Sequence, residues 1–168
     1  MRAPALFFSL ICLLFGICDA QVRSASRHVE KYKSPDKTIV ATIISTERPE
    51  ATSESRIEFH TTAGEILGHA DYSSGDGEHG YGVVKAAWTP DSQFFIYSLT
   101  SSGGHQAWHS PVKFFSRKEK KVFSLDNALR DSVSNPQFDV TAPDIVTVEL
   151  YFSEKKYVGS LSKLRAGN

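Results

Sequence analysis

The segment Trp88-Thr89-Pro90-Asp91-Ser92-Gln93-Phe94-Phe95-Ile96-Tyr97-Ser98-Leu99 decides the fold. Proline fixes φ at Pro90, and the Asp91 carboxylate can accept a hydrogen bond from the backbone two residues on, which together make a tight turn. Phe94-Phe95-Ile96-Tyr97 is apolar on both faces, as a strand is when it is covered on both sides. The same order of residue types occurs twice more: Ser34-Pro35-Asp36 precedes KTIVATIIS and Ala142-Pro143-Asp144 precedes IVTVELYF. The prolines lie 55 and then 53 residues apart. Spacing this even reads as a repeated supersecondary unit.

Around these turns, segments rich in β-branched and aromatic residues follow one another with short polar breaks: 38–44, 56–60, 83–88, 94–99, 112–115, 122–125 and 145–152. In the last, Val146, Val148, Leu150 and Phe152 alternate with Ile145, Thr147, Glu149 and Tyr151, the period of a strand with one buried face. One helical turn is expected over 126–130, with Asp126 as its cap. The chain therefore reads as all-β, with a single domain over 34–168.

The second copy of the unit, Trp88-Thr89-Pro90-Asp91-Ser92, strand 94–99, Gly103-Gly104, strand 112–115, the charged turn Arg117-Lys118-Glu119-Lys120-Lys121 and strand 122–125, resembles the TolB-like β-propeller repeat. The first copy follows it through Ser55-Arg56-Ile57-Glu58-Phe59, and the third only in its opening strand. The resemblance implies antiparallel blade-like sheets. Propellers close with about four or more blades, and this chain has material for three, so the expected architecture is a small incomplete propeller or a β-sandwich. The edge strands such a stack leaves open would be covered by self-association. The resemblance brings no catalytic residues with it.

At the N-terminus, Arg2, a largely apolar run from Ala3 to Cys18 and the small residue Ala20 read as a secretory signal over 1–20, followed by a polar, flexible lead-in over 21–33. Export to the periplasm or the medium is the expectation, with no membrane attachment after cleavage. Both cysteines, Cys12 and Cys18, fall inside the leader, so the remaining chain forms no disulfide and relies on packing. The whole chain carries 19 basic and 19 acidic residues, and the leader holds one of each, Arg2 and Asp19. That balance gives no field that would draw nucleic acid.

Two loops hold the residues suited to binding. DYSSGDGEHGYG, residues 71–82, contains Asp76, Glu78, His79 and Tyr81; TSSGGHQAWHSP, residues 100–111, contains His105, Trp108 and His109. If the strands 83–88 and 94–99 pair antiparallel, both loops leave the same edge of the sheet and form one cleft. His79, His105 and His109 are the candidates for metal ligands, although Gly103-Gly104 and Pro111 argue against the helix that would give His105 and His109 chelating geometry. No cofactor is implied. The sequence has no G-x-S-x-G elbow, phosphate loop, H-E-x-x-H or dinucleotide fingerprint. A non-catalytic domain that binds a protein or glycan through these loops is the favoured expectation. A small metal-assisted or serine hydrolase, with Ser101 or Ser102, His79 and Asp76, is its alternative.

Overall fold

A computed structural model describes residues 26–48, 51–104 and 107–164. The leader at 1–20, the start of the lead-in and His105 lie outside the described residues. Three antiparallel sheets follow in chain order. The first is β1 (Arg27–Lys33), β2 (Ile39–Arg48), β3 (Ala51–Thr61) and β4 (Ile66–Asp71); the second is β5 (Tyr81–Trp88), β6 (Phe94–Ser101), β7 (Val112–Ser116) and β8 (Lys121–Ser124). The third has β9 (Asp139–Thr141), β10 (Ile145–Glu149) and β11 (Lys156–Ser160), with a one-turn helix α1 (Leu125–Leu129) ahead of it. The chain is thus all-β as expected, and the described residues do not close a ring of sheets.

The alternation of β6 explains the layering. Phe95, Tyr97 and Leu99 turn one way, against Ala41, Ile43, Ile57 and Phe59 of the first sheet; Phe94 and Ile96 turn the other way, against Val133, Phe138, Val146, Val148 and Leu161. The second sheet is the middle layer of three. Between sheets one and two, Phe59 and Phe115 stack with centroids 3.9 Å apart, and Phe95 meets Phe59 and Trp88 at 5.8 and 5.2 Å. Each such ring, taken wholly out of water, contributes about 2–3 kcal/mol.

All three Pro-Asp turns lie at one end of the stack, joining β1 to β2, β5 to β6 and β9 to β10. The first two share the same pair of hydroxyl bonds. Ser34 Oγ donates to Asp36 (2.6 Å) and accepts from Ile39 N (3.0 Å); Thr89 Oγ1 donates to Asp91 (2.6 Å) and accepts from Phe94 N (3.0 Å). Both close with a left-handed residue, Lys37 or Ser92. The third does not match: Thr141 pairs with Ile145, so the turn is shorter, Ala142 has no hydroxyl, and Asp144 turns to Ser160 Oγ and Ser162 N, each at 2.8 Å.

Three local expectations are corrected. Residues 27–33, expected to belong to a loose lead-in, form β1, paired from Arg27 against Thr46 to Lys33 against Val40. The pairing comes from β2, whose main chain offers a partner along its whole length, so local polarity does not decide it. The strand expected over 145–152 stops at Glu149, with Leu150 held in a single bridge to Val133. Asp126 does not cap α1. It lies inside the first turn, and its carboxylate accepts from Val112 N and Val133 N, both at 3.0 Å.

Candidate functional site

β5 and β6 pair as the sequence implies, with Tyr81 opposite Ser101, so the loops 72–80 and 102–111 leave the same end of the middle sheet, opposite the Pro-Asp turns. Their bases are joined. Gly80 N donates to Ser102 Oγ and Ser102 N donates to Gly80 O, both at 3.0 Å. Glu54 of β3 holds this junction from below: it is 6% exposed and accepts from Ser74 N and Oγ, from Gly80 N and from Ser102 Oγ at 2.7–2.8 Å. Burial pushes its carboxyl up, but the hydrogen bonds from Ser74, Ser102 and Gly80 outweigh that and hold it below the ordinary range. Glycine is required at position 80, because a Cβ there would sit 2.3 Å from Tyr72 O and 2.5 Å from the Glu54 carboxyl.

Beyond their bases the loops go to different neighbours. In the first, Asp76 accepts from Glu78 N (2.9 Å) and pairs with His79 Nδ1 (2.5 Å), while the Glu78 and His79 side chains are exposed. Tyr81 packs on the core between sheets one and two. In the second, His109 Nε2 lies 2.8 Å from Asp126 Oδ1, and Trp108 stacks on His109 at 5.4 Å. His79 and His109 are therefore each committed to a different carboxylate. No group of three His, Cys, Asp or Glu side chains among the described residues is arranged to hold a metal ion. Ser102 is buried, with its hydroxyl donating to Glu54 at 2.8 Å and accepting from Gly80 N.

The residues that sequence reasoning missed come from the third sheet. Trp108 meets Tyr151 at 4.9 Å and Phe152 at 6.2 Å, and the three rings remain 42%, 44% and 70% exposed. The backbone that presents Tyr151 and Phe152 is pinned. Asp131 accepts from Phe152 N (3.1 Å) and Ser153 N (3.2 Å), and Tyr151 N donates to Ser132 O at 2.7 Å. Phe152 stands as a ridge between two shallow clefts of about 560 and 590 Å³. The first is lined by His109, Asp126, Asn127, Arg130 and Asp131, and the second by Glu149, Glu154, Lys155 and Lys156. The signal that could have found Phe152 is the polar run Ser153-Glu154-Lys155-Lys156 behind it, which marks a turn where the alternation calls for a buried position.

No helix among the described residues is long and apolar enough to cross a membrane. No protein-family model, curated protein or solved structure matches the chain.

Proposed function

We propose that this chain is an exported, non-catalytic interaction domain that binds a protein partner through Trp108, Tyr151 and Phe152. The observation that carries this reading is the exposure of three adjoining aromatic rings, two of them, Tyr151 and Phe152, on a backbone held by Asp131 and Ser132. Exposing Phe152 in water is costly, and an anchored turn that maintains the exposure fits a surface that is covered on binding. An aromatic centre rimmed by Asn127, Arg130, Glu154 and Lys155 has the layout of a protein interface, where a few aromatic anchors carry most of the affinity. The rings lean on one another and on His109, which favours a protein surface over the open ring face that a sugar stacks against.

The three sheets fit the same reading as successive blades of an incomplete TolB-like propeller. Asp36 N donates to Ser92 Oγ (3.0 Å) and Asp91 N donates to Pro143 O (3.2 Å), so the aspartates of the first two turns each reach the turn of the next sheet. Export rests on Arg2, the apolar run Ala3–Cys18 and Ala20.

The test compares capture from envelope and medium fractions of the source cells by the wild type and by Phe152→Ala and Trp108→Ala. A partner held by the wild type should lose at least about 30-fold in affinity in either variant, the size of effect that interface anchors carry. Capture that both variants retain would overturn the reading, and glycan-array binding lost with Trp108 would replace the protein partner with a sugar.

A further inference from the structure

The three sheets differ at one margin. In the first sheet the far side of β3 is closed by β4, and in the second that of β7 by β8. β11 holds the corresponding place in the third, and among the described residues it pairs with β10 alone. The chain leaves β11 through a 3-10 turn, Leu161–Lys163, that buries Leu161 in the core and supplies no fourth strand.

An open strand edge invites pairing, and folded proteins guard such edges with charge, bulges or brevity. The other outer strands are guarded. β1 carries Arg27, His28, Glu30, Lys31 and Lys33; the pairings of β4 and β5 shift register at Phe59/His60 and Val83/Lys85; β8 has four residues and β9 three. β11 pairs with β10 without a register shift, has a single charged residue, Lys156, at its start, and exposes 64% of Val158 at its centre.

The direction of its main-chain groups follows from its neighbours. Leu150 N donates to Lys155 O (2.8 Å) and Leu161 N to Asp144 O (3.0 Å). Antiparallel pairing alternates, so Tyr157 and Gly159 turn their N–H and C=O toward β10, while Lys156, Val158 and Ser160 turn theirs to the open edge.

We infer that β11 pairs antiparallel with β11 of a second copy of this chain, about a twofold axis at Val158, joining two three-stranded sheets into one. In that register Val158 exchanges both main-chain hydrogen bonds with its counterpart, and the two β-branched side chains meet on one face. Lys156 falls opposite Ser160 of the second copy, so like charges do not meet; a parallel pairing would bring the two Lys156 side chains together. The edge is thus complementary to itself, as a twofold contact requires. This inference is independent of the aromatic site.

Sedimentation velocity of the purified protein over a wide concentration series tests it. The expected result is a species of twice the single-chain mass at the upper end, abolished by Val158→Pro and retained by Val158→Thr. Proline at this position removes an N–H that faces the open edge and spares the bonds to β10, so the chain's own fold should survive. Single-chain mass throughout, or a dimer that persists in Val158→Pro, would overturn it. If Val158→Pro does not fold, hydrogen exchange of the wild type decides. The Val158 and Lys156 amides should slow as concentration rises, and unchanged fast exchange overturns the pairing. Protection that appears only when another protein is added overturns it too.

Discussion

The two faces of the middle sheet are joined to their neighbours by different means. Against the first sheet, the apolar layer is stapled at both ends by carboxylates that cross the gap. At the turn end Asp36 reaches Arg117, and at the loop end Glu54 reaches Gly80 and Ser102. Against the third sheet, the turn aspartate Asp144 stays with Ser160 and Ser162 of its own unit. The crossing there is made instead by Asp91 N to Pro143 O and by Lys85 Nζ to Phe138 O. Similar sheets need not share polar fastenings. In the two longer turns Ser34 and Thr89 hold the aspartate in place, whereas the third turn is shorter, with Thr141 already paired to Ile145, and its residue before the proline, Ala142, has no hydroxyl.

The largest effect in testing this contrast is expected from Glu54→Gln, which points an amide into a site built of donors and should cost about 3 kcal/mol in denaturant unfolding at neutral pH. Its pH dependence sharpens the point. The Glu54 carboxyl is held below its ordinary value of 4.5, so its contribution is present above that value and is lost as pH falls through the lowered, folded one. Unfolding curves below pH 4.5 should therefore bring wild type and Glu54→Gln closer together.

Next comes Thr89→Val, which keeps the side chain's shape and removes its hydroxyl. It leaves Phe94 N and Asp91 short of a partner and should cost about 2 kcal/mol, with Ser34→Ala close to it. The smallest effect is expected from Ala142→Thr. With Asp144 already engaged elsewhere, the added hydroxyl finds no turn to lock, and stability should change by no more than about 0.5 kcal/mol. A gain as large as the loss in Thr89→Val would show that the hydroxyl acts without the aspartate and refute the lock.

Much of the fold was legible because strand patterns and turn chemistry are local. The run Phe94-Phe95-Ile96-Tyr97 has two apolar faces and lies in the middle layer, as such a run must. The strands that went unread are those whose own residues carry little pattern: β1 is polar but for Val29 and Tyr32, β4 is broken by Gly68 and His69, and β9 and β11 are short. The candidate site was legible by half. Trp108 and His109 were marked by their loop, whereas Asp131, Tyr151 and Phe152 stand well apart from them in sequence, and no spacing connects them.

The sequence by itself determined an all-β chain and placed a Pro-Asp turn just ahead of a hydrophobic strand in each unit, since proline's fixed φ, a side chain reaching two residues on and a two-residue period act over short distances. Only the tertiary structure decided that His79 and His109 pair with different carboxylates and that Trp108 joins Tyr151 and Phe152. It alone showed that β11 pairs with β10 and no other described strand. Those outcomes depend on how whole sheets stack, and stacking is governed by packing between residues far apart in the chain.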